Sequence, residues 1–145
     1  MTAVDTNLLV YSHREDSPFH QPARRLLNSL RGNPAPWAIP RPCVHEFLGI
    51  VTHPRIYKKP SPIEVAFAAI ETWSAGGNLH GLGESGSCLA KLRFLSVTAK
   101  LAGPRIHGAR IAALCLHHGV GELWTADRDF SAFPQLKTRN PLVTN

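Results

Sequence analysis

Cysteine is scarce in this sequence, and its distribution excludes two common ways of stabilising a small protein. The three cysteines, Cys43, Cys88 and Cys115, are an odd number and lie far apart in the chain. They form no CxxC pair, and no histidine stands at zinc-finger spacing from them. A disulfide framework and a structural zinc site are therefore excluded, and we expect buried, reduced thiols.

Long apolar runs are absent as well. The longest apolar stretches, such as residues 111–116, fall far short of the roughly 20 residues that a bilayer-spanning helix needs. No basic segment and no long apolar run precede Asp5, so the pattern of a secretory signal is missing. We therefore expect a soluble, cytoplasmic protein with no membrane partner. No linker or repeat interrupts the sequence, which predicts a single domain over residues 1–145.

Acidic residues are few. Lys and Arg together number 16, against 10 Asp and Glu, which gives a formal net charge of +6. A basic surface favours a polyanionic partner such as nucleic acid or an acidic protein segment. Charge that serves only solubility is the alternative, and composition does not separate the two. The positions of the acids are therefore more informative than their number.

Short apolar segments alternate with segments of helical periodicity. Helices are predicted over 20–30, from Pro40 through Glu46 to Val51, over 62–73, 87–102 and 109–118, with Ser61 as the N-cap of the third and Gly119 closing the last. Short strands are expected at 1–4, 37–39, around Leu79 and at 122–126. Because parallel strands need helical crossovers, the alternation predicts a three-layer α/β fold with a mainly parallel sheet.

Four acidic residues are expected at one edge of that sheet. Asp5 ends the first strand, Asp127 ends the 122–126 strand, Asp129 follows two residues later, and Glu46 lies early in the helix after the 37–39 strand. Ligands gather at the carboxyl ends of parallel strands. Crowded carboxylates are unfavourable unless a cation neutralises them, and oxygen ligands suit Mg²⁺ or Mn²⁺. The pattern indicates a metal site that could activate water for attack on a phosphodiester.

Each of these acids also has a purely structural interpretation. Asp5 could cap the turn that follows it, and Glu46 could lie on a solvated helix face. Asp127 and Asp129 flank Arg128, so either could be a turn residue or half of a surface ion pair. Convergence favours the functional interpretation, because four of the 10 acids of a basic protein are predicted at one edge.

Three strings resemble the hallmark segments of the PIN-domain family, in particular the VapC-type toxins. They are Ala-Val-Asp-Thr-Asn at 3–7, Pro-Cys-Val-His-Glu-Phe-Leu at 42–48 and Leu-Trp-Thr-Ala-Asp-Arg-Asp-Phe at 123–130. The strings occur in the family's order, and the likeness continues through Phe-Pro at 133–134 and Arg-Asn-Pro-Leu at 139–142. The resemblance therefore extends essentially over the whole chain.

The resemblance implies an α/β/α PIN-like domain with Mg²⁺- or Mn²⁺-dependent endoribonuclease activity on RNA. It also implies a homodimer that a VapB-type antitoxin neutralises. On this interpretation Asp5, Glu46 and Asp127 are metal-site acids and Asp129 is an auxiliary acid. Polar support would come from Asn7 and Thr125, for which ordinary turn or strand-end hydrogen bonding is the alternative.

One position departs from the family pattern. Where the family usually reads His-Asp-Ala-x-Ile-Ala-Ala, this chain has His-Gly-Ala-Arg-Ile-Ala-Ala at 107–113, so Gly108 replaces an acid. As an N-cap, glycine would cost only a few tenths of a kcal/mol, and the fold should tolerate it. Loss of a carboxylate should weaken metal affinity and cleavage, unless Asp129 takes over the coordination.

Two other functions stay open at this point. A catalytically silent PIN domain would bind antitoxin and RNA without cleavage, and a DNA-directed nuclease or a phosphatase could use the same acids. Among the basic residues, Arg41 and Arg128 adjoin the site segments and are the preferred candidates for RNA phosphates. Three further arginines, Arg24, Arg25 and Arg31, are expected on the solvent side of the 20–30 helix.

Overall fold

The computed structural model describes residues 1–143, in which strands and helices alternate. The strands are β1 (Thr2–Val4), β2 (Trp37–Pro40), β3 (Leu79–Leu82), β4 (Glu122–Trp124) and β5 (Thr138–Arg139). The α-helices are α1 (Thr6–His13), α2 (His20–Gly32), α3 (Arg41–Val51), α4 (Ile63–Ser74), α5 (Cys88–Thr98) and α6 (Ile106–His117). Short 3₁₀ helices occur at Gly103–Arg105 and Arg128–Ala132.

The five strands form one sheet in the order β3-β2-β1-β4-β5, and every pairing is parallel. Helices α1 to α4 contact one another, whereas α5 packs against α6. This arrangement confirms the predicted three-layer α/β fold. The strand order reverses at β1, because the chain runs outward to β2 and β3 and later returns to the other side of β1 as β4. Such a switch point opens a crevice at the carboxyl ends of the strands.

The core lies on both faces of the central strands. Ala3, Val4, Ala38 and Ile39 are essentially inaccessible to solvent, as expected for parallel strands covered by helices on each side. The Phe47 ring packs edge-on against Trp73 with centroids 5.0 Å apart, which joins α3 to α4. All three cysteines are buried and free, as predicted. Among residues 1–143, no helix is both long and apolar enough to cross a membrane.

Two helix starts differ from the sequence prediction. Helix α4 begins at Ile63 with Pro62 in the N-cap position, and the Ser61 side chain instead bonds to His13 Nε2 at 2.8 Å and to Arg14 Nη1 at 3.2 Å. Helix α6 begins at Ile106, because the 3₁₀ turn before it runs directly into the helix. Gly108 is therefore the third residue of α6, and its prediction as an N-cap is wrong.

The ends of α5 and β4, one additional strand and the exposure of one arginine also differ from the sequence prediction. Helix α5 stops at Thr98 instead of residue 102, because Lys100 adopts a left-handed φ of 54°. Strand β4 ends at Trp124, so Asp127 lies three residues after the strand and does not follow it directly as predicted. The two-residue strand β5 was not predicted. Arg31 is partly buried, so its prediction as a solvent-facing residue is wrong.

Because Gly108 lies inside a helix, replacing it should change the stability of the protein. A Cβ at residue 108 would lie 3.7 Å from the Phe133 ring, which is ordinary van der Waals contact. Gly108→Ala should therefore stabilise the protein by about 0.5–1 kcal/mol, because glycine is entropically costly inside a helix. Gly119, at φ 69°, is the matched control, and Gly119→Ala should destabilise. Urea unfolding measures the stability of both variants. A loss of stability in Gly108→Ala would contradict the placement of Gly108 inside α6.

Candidate functional site

The candidate site lies at the switch point, where β1 and β4 end side by side. The Asp5 backbone N–H donates to the Trp124 carbonyl at 2.9 Å, which extends the β1–β4 pairing by one residue. Asp5 is also the N-cap of α1, and its Oδ1 accepts from the Thr6 backbone N–H at 2.8 Å. The capping interpretation of Asp5 is thus correct, and it aligns the carboxylate with the crevice.

A shell of donors surrounds the Asp5 carboxylate. Thr125 Oγ1 donates to Oδ2 at 2.7 Å, and Asn7 Nδ2 approaches the same oxygen at 3.4 Å. The Cys43 thiol donates to Oδ1 at 3.5 Å. Asn7 Nδ2 also donates to Thr125 Oγ1 at 3.3 Å. Both residues expected as polar supports therefore contact Asp5, and this residue is only 4% exposed.

Burial dominates the electrostatics of this carboxylate. Loss of hydration raises the pKa of Asp5, hydrogen bonds from Thr125, Thr6 and Cys43 lower it, and the charge of Glu46 raises it further. The net shift is upward. Burial and the charge of Asp5 likewise raise the pKa of Cys43 well above its ordinary value, so this thiol stays protonated. Ionised Asp5 is consequently destabilised, and a nearby cation would relieve that cost.

Thr6 connects Asp5 to the next acid. Its backbone N–H binds Asp5, and its hydroxyl Oγ1 donates to Glu46 Oε2 at 2.8 Å. Glu46 lies in the second turn of α3 and is exposed. One residue therefore orients two carboxylates that come from different elements. Sequence reasoning missed Thr6 and Cys43, although their positions beside Asp5 and within the 42–48 string were a signal.

The two C-terminal acids follow β4. The Asp127 N–H donates to Thr125 Oγ1 at 3.0 Å, and Asp127 Oδ1 accepts from the Asp129 N–H at 2.9 Å. Asp127 thereby caps the 3₁₀ helix that begins at Arg128. The turn role considered for Asp127 is observed, and both acids are exposed. Through Thr125, this loop is tied to the Asp5 carboxylate.

One cavity of about 490 Å³ joins the predicted residues. Its polar lining includes all four predicted acids, and its apolar lining includes Leu101, Pro104, Ile111, Phe130 and Phe133. Gly108 and His107 also line it, so the position of the missing acid faces the other acids. The first turn of α6 therefore presents bare backbone where the family pattern has a carboxylate.

The carboxylate oxygens of the acidic cavity suit a hard cation, although few of them lie close together. In the part of the chain that the structure describes, no three His, Cys, Asp or Glu side chains form a group that could hold a metal ion. Mg²⁺ is nevertheless commonly bound by one or two carboxylates while it keeps several waters. The Asp5–Glu46 pair that Thr6 connects fits such a water-rich site.

The two basic candidates lie outside the cavity lining. Arg128 is exposed between Asp127 and Asp129. Arg41 is exposed at the start of α3, and its side chain lies close to the backbone of Gly81 and Gly83, where an added Cβ would approach it to about 3.4–3.5 Å. Within residues 1–143, neither arginine forms an ion pair. Both guanidinium groups are thus available to an anionic ligand.

Comparison with known proteins identifies the family. No family model matches the chain. Ribonuclease VapC48 of Mycobacterium tuberculosis is 30% identical over 137 residues, which cover 94% of this chain and 94% of that protein. The chain belongs to the PIN-domain VapC toxin family. Ribonuclease VapC43 of the same organism is 31% identical to this VapC-family chain over 142 residues, covering 98% and 96% of the two chains.

Solved structures of VapC proteins share its fold. VapBC2 from Rickettsia felis, bound to a promoter DNA fragment, aligns with a TM-score of 0.67 at 18% identity, covering 95% of this chain and 96% of that one. Mycobacterium tuberculosis VapC20, a sarcin-ricin loop cleaving toxin, aligns with a TM-score of 0.69 at 16% identity, covering 92% and 95%. The family resemblance carried by the three strings is confirmed.

The raised pKa of Asp5 predicts a pH-dependent cost of folding. The Asp5 carboxyl group binds its proton more tightly in the folded protein than in the unfolded chain. The free-energy cost of ionising Asp5 in the folded protein is therefore absent below the unfolded pKa of about 4, and it grows as pH rises toward the folded pKa. In chelator-treated buffer, the stability of Asp5→Asn relative to the parent should therefore increase from pH 4 to pH 7. Urea unfolding across that range tests this. Glu64→Gln, on the exposed part of α4, is the control, and a flat difference for Asp5→Asn would refute the assignment.

Proposed function

We propose that this VapC-family chain is a cytoplasmic toxin of a VapBC system and cleaves RNA phosphodiester bonds at the Asp5–Glu46 site with Mg²⁺ or Mn²⁺. The buried Asp5 carboxylate carries the proposal. It is ionisable, only 4% exposed, and connected through Thr6 to Glu46 in a cavity that also contains Asp127 and Asp129. The related VapC48 and VapC43 are named ribonucleases, which supports this activity.

Asp5 and Glu46 would hold the cation, and Asp127 would add a carboxylate directly or through water. When bound, such an ion polarises a phosphoryl oxygen and lowers the pKa of a coordinated water. The chain's own residues set the geometry. Thr125 and Asn7 fix the Asp5 carboxylate by hydrogen bonds, and the Thr6 hydroxyl fixes Glu46. Rotamers held in this way reduce the reorganisation required during reaction.

Gly108 should make this nuclease weak. The position lines the acidic cavity, yet it supplies no ligand oxygen. Asp129 is exposed on the opposite loop and could replace the missing acid. A catalytically silent domain that binds antitoxin and RNA is the second candidate. The specific observation in its favour is that, within residues 1–143, no group of three potential metal-binding side chains forms.

A VapB-type antitoxin and a second copy of the chain are the proposed protein partners. Exposed apolar side chains support both, because large exposed apolar surfaces often mark interfaces. Helix α4 exposes Ile63, Val65 and Phe67, each about half accessible, and α5 exposes Leu89, Phe94 and Val97, which are 58–76% accessible. The VapBC2 complex of Rickettsia felis is a related assembly.

Two substitutions test the carboxylate mechanism in an RNA cleavage assay with Mg²⁺ or Mn²⁺. Asp5→Ala should lower the rate by at least about 100-fold, because it removes a proposed metal ligand. Gly108→Asp should raise the rate by about tenfold or more, since it restores an oxygen ligand on the cavity wall. Gly108→Asn, of the same shape, and Asp16→Ala, an acid outside the site, are the matched controls.

The outcomes separate the two candidates. No gain in Gly108→Asp together with no loss in Asp5→Ala would show that the carboxylate mechanism is wrong. A parent without activity that still binds RNA, and that Gly108→Asp activates, would identify a disabled nuclease. Absence of cleavage in every variant, with RNA binding retained, would identify the silent scaffold.

If Arg41 contacts an RNA phosphate, its replacement should change the salt dependence of RNA binding. Each cationic contact with a single strand contributes about 0.7 to the slope of log K against log salt concentration. Arg41→Gln should therefore lower that slope by about 0.7 and weaken binding similarly for all RNA sequences. Fluorescence anisotropy over a salt series measures the slope. Arg55→Gln, an exposed arginine between α3 and α4, is the control, and equal slopes for Arg41→Gln and the parent would exclude the contact.

A further inference from the structure

A second cavity, of about 270 Å³, lies between α1, α2 and α4. It shares no lining residue with the acidic cavity. On α1 it is lined by Ser12 and His13, whereas the acidic cavity is lined by Thr6, Asn7, Val10 and Tyr11. The second cavity is therefore a separate site.

Basic side chains dominate the lining of the second cavity. His13 from α1 and three residues of α2, His20, Arg24 and Arg31, line it, and Glu15 is the acidic residue in the lining. In the described part of the chain, Glu15, Arg24 and Arg31 form no ion pair. The adjacent Arg14 already pairs with Asp16 at 2.6 Å. The cavity thus has excess positive charge.

Arg31 has an unsatisfied donor in this region. Its Nη1 donates to Asn28 Oδ1 at 3.2 Å, but its Nε–H is buried and has no hydrogen-bond partner among residues 1–143. Buried donors without partners are rare in proteins because desolvation costs free energy that no bond recovers. The Nε–H itself is closed to solvent, so an acceptor in the cavity would reach the guanidinium group through its other N–H groups.

The two histidines add ring nitrogens to the lining of the cavity. His20 is 8% exposed, and its Nδ1 bonds to the Tyr11 carbonyl at 3.0 Å, so Nδ1 carries the proton because a carbonyl only accepts. Burial lowers the pKa of His13, and the positive charges of Arg14 and His20 lower it further. A negative charge nearby would stabilise the protonated form of the His13 ring.

The two hydroxyl groups in the lining of the cavity are already used. The Ser12 hydroxyl donates to the Leu9 carbonyl at 2.8 Å, and the Thr72 hydroxyl donates to the Ala68 carbonyl at 3.0 Å. The guanidinium groups of Arg24 and Arg31 remain for a ligand, together with the ring nitrogens of His13 and His20 that their own hydrogen bonds leave free. Guanidinium groups match the oxygens of phosphate in planar, paired hydrogen bonds.

We propose that this cavity binds a tetrahedral oxyanion of the phosphate class, held by Arg24 and Arg31 with His13 and His20. The site is independent of the proposed nuclease activity, since it uses none of the acidic residues. A free phosphate and a phosphate group of a nucleic-acid strand share this chemistry.

An NMR titration with inorganic phosphate tests the proposal. The ring resonances of His13 and His20 are followed in phosphate and in chloride at equal ionic strength. We expect a saturable shift with phosphate alone, and about tenfold weaker binding in Arg31→Gln and Arg24→Gln. Arg25→Gln, the exposed neighbour outside the cavity, is the matched control and should bind like the parent.

Three results would overturn the site: no saturable shift, an equal shift with chloride, or an equal loss in Arg25→Gln. Arg24 is exposed, so Arg24→Gln remains informative if Arg31→Gln fails to fold. A short RNA then identifies the source of the anion. If it moves the same two resonances, the site takes a strand phosphate, and if it leaves them unchanged while phosphate moves them, the site takes a free oxyanion.

Discussion

The hydrogen bond from Thr125 Oγ1 to Asp5 Oδ2, at 2.7 Å, connects the segments that follow β1 and β4. These two strands are neighbours at the point where the strand order of the sheet reverses. Everything proposed for the site depends on this contact, because it holds the buried Asp5 carboxylate at the wall of the acidic cavity. Thr125 Oγ1 also accepts from the Asp127 N–H, so the same hydroxyl positions the loop that carries the C-terminal acids. A buried carboxylate is unfavourable for folding by itself, and a site that retains one is most simply explained by a ligand that compensates the charge.

The fold and the proposed chemistry place different requirements on residue 108. As the third residue of α6 it has a helical environment with room for a side chain, so packing does not require glycine there. The consequence of the missing side chain is therefore local to the cavity. Asp5 and Glu46 remain connected through Thr6, whereas α6 contributes His107, Ile111 and the bare backbone of Gly108 to the cavity lining. Under the proposed function, the fold is retained and one candidate metal ligand is missing.

Much of this arrangement could be predicted from sequence, because parallel topology places strand ends at one edge. That reasoning correctly brought Asp5, Glu46, Asp127 and Asp129 into one cavity and found the supports Asn7 and Thr125 beside Asp5. It could not give side-chain contacts across elements. Thr6 bridges two acids 40 residues apart, and Arg31 turns into a cavity that α4 completes. The start of α6 was missed because the Gly-Pro turn, which reads as a breaker, feeds directly into the helix.

The central claim is that Asp5 is a buried carboxylate whose charge a divalent cation neutralises. Its direct test is a ¹³C NMR titration of the Asp5 carboxyl group with and without Mg²⁺. The account predicts that Asp5 titrates above the ordinary range of an aspartate in the absence of metal and that saturating Mg²⁺ moves its pKa downward, because the cation favours the ionised form. An Asp5 that titrates in the ordinary range and does not respond to Mg²⁺ would contradict the account.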